Sequence, residues 1–219
     1  MNHFDFGKEL FDRIQELAPQ SLKLRTYQKD ETIYHVGHEP EGLYFIKSGL
    51  VGLVDIAKNG DESLLRVFGH EHFFGHRSLI SEEPYHATSI ALKKTNILFI
   101  NKEDLKNLCQ DNSELLLYIA KVLAKELRRS EIRLKDMSSK KVADRIIESL
   151  IFLKTRYPHH KWTRREIGEF CGAKTETVSR TLSSLEQQGL IKREGRSIMI
   201  PEPQLLLDFI HKEEERHKI

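Results

Sequence analysis

The chain has 219 residues, of which 39% are hydrophobic and 31% are charged, and its formal net charge is +2. This composition is ordinary for a soluble globular protein and excludes a disordered chain, and no apolar run reaches the roughly 18 residues of a membrane-spanning helix. The two cysteines, Cys109 and Cys171, are too few for a disulfide scaffold, a four-cysteine zinc site or an iron–sulfur cluster held within one chain.

The charge is unevenly distributed along the chain. Residues 138–200 contain 13 Lys and Arg against 7 Asp and Glu, a charge of +6, whereas residues 1–137 and 201–219 each carry −2. A basic segment of this kind favours a polyanionic partner, although a chance fluctuation on a solvated surface would look the same. Residues 1–12 lack the basic-then-apolar pattern of a signal peptide, so we expect a cytoplasmic protein with no membrane partner.

The N-terminal segment, residues 1–110, is predicted to be an antiparallel β-roll of the jelly-roll type. Apolar residues at helical spacing first predict a short helix over residues 4–17, and short β-type runs separated by turn residues follow it. Asn59-Gly60 is the strongest hairpin signal, because a type I′ turn needs positive φ at both central positions. The predicted strands are residues 23–27, 32–35, 42–46, 50–56, 63–68, 86–91 and 96–100.

A long helix over residues 111–137 follows, and its apolar residues are spaced alternately four and three apart. This narrow seam, flanked by charged residues such as Glu126, predicts a parallel homodimer; a surface helix that covers its own core is the alternative. Ser130, the one polar residue of the seam, either fixes the register or faces a ligand at the interface. A second apolar set (Leu115, Ile119 and Val122) covers only the first half and could pack on the β-roll. The seam consists of Leu116, Ala120, Leu123, Leu127, Ser130, Leu134 and Met137.

Two short helices joined by a glycine turn are predicted further along the chain. Thr163 and Glu166 form a capping box at the start of the first helix, residues 164–170. Gly172 then provides a tight turn into the second helix, residues 174–188. One face of this second helix is apolar (Val178, Leu182 and Leu185), and the opposite face carries Thr175, Glu176, Ser179, Arg180 and Ser183. A helix pair of this kind is the helix-turn-helix pattern.

Residues 190–193 and 197–200 flank a basic tip and predict a small β-hairpin, or wing. An apolar helix over residues 142–153, with Ser138-Ser139 as its expected cap, precedes the helix pair. Residues 138–219 are therefore predicted to form a winged helix-turn-helix domain that binds double-stranded DNA. The residues predicted to contact DNA phosphates are Arg164, Arg165, Lys174, Thr177, Lys192, Arg193 and Arg196.

In this arrangement the chain resembles the Crp/Fnr family of bacterial transcription regulators over nearly its whole length. The resemblance implies an α+β fold with a β-roll effector domain, a long dimerisation helix and a winged helix-turn-helix domain. It also implies a regulator rather than an enzyme, with DNA and RNA polymerase as partners. The segments that carry it are Gly37-x4-Gly42-Leu43-Tyr44-Phe45-Ile46-Lys47-Ser48-Gly49, Phe73-Phe74-Gly75, Arg164-Arg165-Glu166-Ile167-Gly168 and, most specifically, Glu176-Thr177-Val178-Ser179-Arg180.

The resemblance assigns base-reading roles to the second helix of the pair. In the family, the Glu of the Glu-x-x-(Ser/Gly)-Arg core accepts from a cytosine N4 amine, and the Arg donates two bonds to a guanine. Glu176 and Arg180 match these positions. The serine at position 179 resembles the Fnr branch, and Thr175 stands where the cyclic-AMP receptor branch has arginine. We therefore expect a two-fold symmetric site with TTGA-like half-sites. Glu176 and Arg180 could also form an i,i+4 salt bridge.

The expected effector pocket departs from the cyclic-AMP pattern of the family. His76 stands where the family has a ribose-binding Glu, and His86-Ala87 stands where it has a phosphate-binding Arg-Ser pair. A neutral imidazole is a poor substitute for a bidentate guanidinium, although Arg77 could supply a cation from another angle. We expect an unidentified small effector other than cyclic AMP. The expected pocket consists of Gly75, His76, Arg77, Ser78, Leu79, His86, Ala87, Ser130 and Glu131.

Three alternatives remain open at this point. The histidines of the β-roll could bind haem or a metal, and His70-x-His72 on a strand would place both rings on one face, but no metal ligand is assigned. A metal-dependent barrel enzyme with an appended DNA-binding module is a more remote alternative. A nucleotide-binding scaffold with no DNA role is the third. We expect no enzyme, because the sequence shows no nucleophile–base or paired-carboxylate arrangement, and both cysteines are expected to be structural.

Overall fold

The computed structural model describes residues 5–57, 60, 62–195 and 197–216. The chain divides into two compact units, Met1–Glu131 and Ile132–Ile219. The first combines antiparallel sheets with helices and the second is mainly helical, which confirms the predicted α+β class. No helix in the described part of the chain is both long and apolar enough to cross a membrane.

The first unit is a β-roll made of two four-stranded antiparallel sheets. Helix α1 (Asp5–Leu17) and a 3-10 turn (Pro19–Ser21) precede the first strand. The strand orders are β1-β8-β3-β6 and β2-β7-β4-β5. The strands are β1 (Lys23–Tyr27), β2 (Thr32–Tyr34), β3 (Gly42–Ser48), β4 (Val51–Ile56), β5 (Glu62–Phe68), β6 (Phe73–Phe74), β7 (Thr88–Ala91) and β8 (Thr95–Asn101).

All seven predicted runs are strands, with bounds that differ from the prediction by two residues at most. The predicted hairpin joins β4 to β5: Ile56 pairs with Glu62, and Gly60 has φ +84°, while Asn59 lies outside the described residues. Phe4, the expected start of α1, also lies outside them. Strand β6 and the helices α2 (His76–Ser81) and α3 (Lys102–Asp111) were not predicted. The two-residue strand β6 and the six-residue helix α2 are too short for a periodic signal. Helix α3 does have a local signal in the sequence, because Asn101 caps it by accepting from the Asp104 amide.

Two apolar clusters hold the first unit together. One lies between the helices and the sheet that contains β3, and it includes Ile14 of α1, Phe45 and Leu105. The same cluster contains Leu115 and Ile119 of the long helix α4 (Glu114–Ser139), so the first half of α4 packs on the β-roll as the second apolar set predicted. The other cluster fills the roll with aromatic rings, and its members include Tyr34, Tyr44, Phe74, Tyr85 and Phe99.

The second unit contains the C-terminal end of α4, a helical core and a two-stranded wing. Trp162 is 2% exposed, and its indole N–H donates to the Leu153 carbonyl at 3.2 Å. Ser138 and Ser139 do not cap the following helix, because their hydroxyls donate to the Lys135 carbonyl within α4 and Lys141 is the N-cap residue instead. The elements are α5 (Val142–Arg156), α6 (Arg164–Cys171), α7 (Thr175–Gln187), β9 (Lys192–Glu194), β10 (Ser197–Met199) and α8 (Pro203–Arg216).

Candidate functional site

Helices α6 and α7 form a helix-turn-helix whose geometry depends on two glycines. The capping box at the start of α6 is formed as predicted, with the Thr163 hydroxyl accepting from the Glu166 amide at 3.1 Å. Gly172 ends α6 with φ +67°, a conformation that favours glycine. A Cβ at Gly168 would lie 2.5 Å from the carbonyl oxygen of Ala173, so the close approach of helix and turn also requires glycine.

Helix α7 buries one face and leaves the other to solvent. Val178, Leu182 and Leu185 are at most 1% exposed. Glu176 and Arg180, which lie one turn apart, are exposed. Neither side chain makes a hydrogen bond or an ion pair with any described residue, and the alternative i,i+4 salt bridge is not formed. Both groups therefore have their full hydrogen-bonding capacity available for a ligand at this face. Thr175 is exposed beside them, and Ser179 is half-buried.

The cationic side chains of α6, of the α7 N-cap and of the wing differ in how they are engaged. Arg164, Lys174 and Lys192 are exposed. Arg165 is also exposed and pairs with Glu169, with its Nε 2.5 Å from Oε1. Thr177 is half-buried, and Arg196 lies outside the described residues. The guanidinium of Arg193 is bound to Glu186, whose carboxylate also accepts from the Arg193 backbone amide at 3.2 Å, so Arg193 fastens the wing to α7.

Two arginines hold the C-terminal end of α6 within the second unit. The guanidinium of Arg133, on α4, lies 5.0 Å from the centre of the Phe170 ring and donates to the Phe170 carbonyl. Burial lowers the pKa of Arg133. Arg145 donates to the Cys171 carbonyl at 3.3 Å and to the Met137 carbonyl at 3.4 Å. The last turn of α6 is thus tied to the end of α4, because both arginines satisfy carbonyls that a helix end leaves free.

The expected effector region of the first unit contains a cavity of about 20 Å³. This volume holds about one water molecule, because a water needs roughly 10–15 Å³. Tyr34 and Tyr85 stack beside it with ring centres 3.6 Å apart and planes 8° apart. Leu79 belongs to the apolar core, and neither Ser130 nor Glu131 lines the cavity. Six predicted pocket residues do line it, namely Gly75, His76, Arg77, Ser78, His86 and Ala87.

A buried carboxylate, that of Glu126, is held by three cationic or imidazole side chains that line this cavity. Glu126 of α4 is 6% exposed. Its Oε1 lies 2.7 Å from Nη1 of Arg66, and its Oε2 lies 2.9 Å from Nε of Arg77 and 3.1 Å from Nε2 of His76. Since an ionised carboxylate only accepts, the His76 Nε2 atom carries a proton in this contact. Burial alone would raise the pKa of Glu126, but the His76 hydrogen bond and the charges of its partners outweigh it and hold the pKa at about 2.

Glu126 is buried rather than on a solvated flank of the long helix as the sequence pattern predicts, and Arg66 is a site residue that the pattern does not indicate. A signal for Glu126 was present, because it lies four residues after Val122 and so continues the stripe of Leu115, Ile119 and Val122 that packs on the β-roll. The structure adds Arg66, Glu126, Tyr34 and Tyr85 to the predicted site residues of this region. No comparable signal identifies Arg66, which lies on a strand of intermediate burial.

The structure does not place His70 and His72 as the metal-site alternative requires. His70 and His72 lie in a turn between β5 and β6, with Glu71 at φ +66°, so the two histidines do not share one face of a strand, as that alternative required. The His72 Nδ1 atom is 3.1 Å from the Gly69 carbonyl. Among residues 5–57, 60, 62–195 and 197–216, no three His, Cys, Asp or Glu side chains are placed to hold a metal ion. Burial, followed by the positive charges of Arg77 and Arg66, lowers the pKa of His86.

Comparison with known proteins agrees with this architecture. Residues 24–112 match the cyclic nucleotide-binding domain, and residues 144–209 match the Crp-like helix-turn-helix domain. The chain is 30% identical over 186 residues to the cAMP-activated global transcriptional regulator CRP of Haemophilus influenzae, covering 81% of this chain and 83% of that protein. It is 27% identical over 189 residues to the CRP-like cAMP-activated global transcriptional regulator of Mycobacterium tuberculosis, covering 82% of this chain and 84% of that protein.

Among solved structures, that of FixK2 from Bradyrhizobium japonicum has the same fold, with a TM-score of 0.77 at 24% identity over 85% of this chain and 96% of that one. The two domains and their order define a transcriptional regulator with a cyclic nucleotide-binding-type domain and a DNA-binding helix-turn-helix. The chain belongs to the Crp/Fnr family, which confirms the resemblance found in the sequence. Its first domain implies a binding site for a small-molecule effector.

Proposed function

We propose that the protein is a homodimeric, sequence-specific regulator that reads TTGA-like half-sites and responds to a small effector other than cyclic AMP. The observation that carries the DNA part is the outer face of α7, where Glu176 and Arg180 are exposed and unengaged by the described residues. A carboxylate and a guanidinium one turn apart match the cytosine N4 amine and the guanine O6/N7 edge of neighbouring base pairs. No alternative partner within the helix competes with these contacts.

The phosphate contacts supply affinity around this reading face. Arg164 at the start of α6, Lys174 at the N-cap of α7 and Lys192 at the start of β9 are exposed, so we assign the contacts with the DNA backbone to these cations. Arg165 is paired with Glu169, and Arg193 is paired with Glu186. These two arginines contact DNA phosphates only if their ion pairs open. Thr177 and Arg196 stay predictions of phosphate contact.

The homodimer is supported by the exposure of the α4 seam. Leu127 is 61% exposed and Leu134 is 74% exposed in the single chain, although both lie on an uninterrupted a/d stripe. Large apolar side chains in one row on a helix surface favour a coiled-coil partner, and a second copy of the chain supplies the same row. A dimer presents two reading helices about 34 Å apart, one turn of DNA, which requires a two-fold symmetric site.

The effector differs from cyclic AMP in this proposal because the ligand groups that the family resemblance implies are absent. His86-Ala87 offers no guanidinium for a cyclic phosphate, and His76 stands in place of the ribose-binding Glu. Calorimetric titration with cyclic AMP should show no binding in the micromolar range, and micromolar affinity would contradict this part. Contact with RNA polymerase and a cytoplasmic location, where the DNA target lies, are also part of the proposal.

The DNA part is tested by fluorescence anisotropy with a symmetric TTGA-containing duplex and a duplex in which the G·C pair of each half-site is exchanged. The wild type should prefer the first duplex. Arg180→Ala should lose about 1–3 kcal/mol on the first duplex and little on the second, so that specificity collapses. Arg164→Ala, the matched control, should weaken both duplexes equally and reduce the salt slope of binding by about one. Equal losses for both variants on both duplexes would contradict base reading by Arg180.

A further inference from the structure

Three side chains in the β-roll converge on a single carboxylate. Arg66 of β5 and His76 and Arg77 of α2 all place nitrogen atoms within 3.1 Å of Glu126. The side chains of Arg66, His76 and Arg77 are 19%, 2% and 35% exposed, so two of the three donors are largely removed from water. Guanidinium and imidazole N–H groups arranged around one point are the donor set that proteins use to bind carboxylates and phosphates.

The same three residues line the neighbouring cavity. His76 is 2% exposed, and one of its ring nitrogens, Nδ1, is buried without a hydrogen-bond partner among the described residues. A buried polar atom without a partner costs free energy, which a ligand or an ordered water in the adjoining cavity would recover. The site therefore has both a filled position, held by Glu126, and an unsatisfied polar atom beside it.

This cluster shares a cavity with the position that the family resemblance assigns to a cyclic phosphate, but it uses other residues. That position falls on His86-Ala87, whereas the cluster is built from β5, α2 and α4. It also connects directly to the long helix, because Arg66 Nη2 donates to the Ser130 hydroxyl at 3.1 Å. Ser130 in turn donates to the backbone carbonyl of Glu126 at 3.0 Å. A ligand that removed Glu126 from the cluster would thus release the contacts that fasten this turn of α4 to the β-roll.

We propose that Arg66, Arg77 and His76 form an oxyanion-binding site, that the Glu126 side chain is its internal ligand, and that an anionic effector binds by exchanging with Glu126. The effector half of this proposal rests on the proposed function; the oxyanion site does not. The chemical class of the ligand is a small molecule with a carboxylate or a phosphate, since both present oxygen atoms to a guanidinium in the same geometry.

Chemical rescue of Glu126→Ala tests the site. This variant removes the carboxylate and leaves the three donors in place. Thermal unfolding followed by circular dichroism is compared in sodium acetate, in sodium phosphate and in sodium chloride of equal ionic strength. We expect saturating acetate or phosphate to raise the unfolding midpoint of Glu126→Ala by about 5 °C relative to chloride. The wild type and Glu39→Ala, which removes an exposed carboxylate elsewhere in the β-roll, should not respond.

Rescue by acetate alone assigns a carboxylate ligand, and rescue by phosphate alone or by both assigns a site that accepts a phosphate. If Glu126→Ala folds only in one of these anions, the site is supported in the same way. If it does not fold at all, Glu126→Gln is titrated with both anions by calorimetry, and absence of binding overturns the site. A response of Glu126→Ala no larger than that of Glu39→Ala also overturns it.

The role of the site in regulation is tested separately, with the DNA affinity of Glu126→Ala measured with and without the rescuing anion. A change of about tenfold or more in DNA affinity on adding the anion supports the exchange mechanism. Rescue of stability with no change in DNA affinity overturns the effector role and leaves the oxyanion site intact. If the wild type shows no preference for the TTGA-containing duplex, this result contradicts the proposed function and leaves the oxyanion site untouched.

Discussion

Arg66 on strand β5 and Glu126 on helix α4 form a 2.7 Å ion pair in which the side chains are 19% and 8% exposed. This pair and the two other partners of Glu126 attach α4 to the β-roll at the point where the apolar contacts of Leu115 and Ile119 have ended. A buried ion pair of this kind does not by itself stabilise a fold strongly, but breaking it leaves uncompensated charge in the interior. The consequences of removing Glu126 are therefore large.

Replacing Glu126 with Ala should destabilise the first unit by about 3–5 kcal/mol, because Arg66 and Arg77 lose their buried counter-charge. Urea unfolding followed by far-UV circular dichroism measures this loss. Trp162, the one tryptophan of the chain, lies in the second unit, so its fluorescence reports on that unit. We expect the fluorescence transition to stay in place while the dichroism signal shows an earlier transition. Glu39→Ala should change neither transition by more than about 0.5 kcal/mol, and an equal effect of the two variants would contradict the account.

The stability of the first unit should also depend on pH through Glu126. Its pKa is about 2 in the folded chain against an ordinary value of 4.5. Because the folded pKa is the lower one, the stabilising contribution is fully present above pH 4.5 and is lost as the pH falls towards 2. The shift corresponds to about 3 kcal/mol. The difference in free energy of unfolding between the wild type and Glu126→Gln should narrow by about this amount as the pH falls from above 4.5 to below the folded pKa of about 2. A constant difference would contradict the ionised pair.

Removing the cap of α6 should destabilise the second unit alone. Thr163 accepts from the Glu166 amide, and the Glu166 carboxylate accepts from the Thr163 amide at 2.7 Å and lies 2.9 Å from His160 Nε2. Thr163→Ala removes the hydroxyl and should cost about 1 kcal/mol. The unfolding transition of Trp162 fluorescence measures the effect. Thr163→Ser, which keeps the hydroxyl, should restore most of it, and similar losses for the two variants would show that the cap is unimportant.

A charge placed in the α4 seam should dissociate the proposed homodimer. Leu127→Lys puts an ammonium group into the apolar row and should shift sedimentation equilibrium from dimer to monomer at micromolar concentration. Ile132→Lys is the matched control, because Ile132 is 53% exposed but lies on the side of α4 away from the seam. The control variant should stay dimeric. If both variants, or neither, become monomeric, the seam does not form the interface.

The elements with regular patterns were predictable from the sequence, and those without them were not. The strands, the capping box at Thr163 and the buried face of α7 follow from alternation, spacing and turn chemistry. The six-residue helix α2 has no periodic signal, and it is this helix that aims His76 and Arg77 at Glu126. Its start depends on Gly75 at φ +89°, and its geometry is set by tertiary packing rather than by local propensity.

The burial of Glu126 is a second feature that the sequence pattern predicts only in part. Its position in the stripe of Leu115, Ile119 and Val122 indicates the face that it occupies, but a carboxylate on an inward face is stable only where cations meet it. Arg66 and Arg77 are 60 and 49 residues away in the sequence, so their convergence on one point is a property of the folded roll. A single sequence therefore predicts the direction of Glu126 and cannot predict its partners.

Selection from a random-sequence DNA library shows whether α7 reads DNA sequence through Glu176 and Arg180. The full-length wild type should return two-fold symmetric sites with a TTGA-like element, including its G·C pair, in each half. Arg180→Ala should return sites in which that pair is no longer enriched, while Arg164→Ala should return the wild-type sequence with weaker binding. Wild-type sites without symmetry or without the G·C pair in each half would contradict the claim.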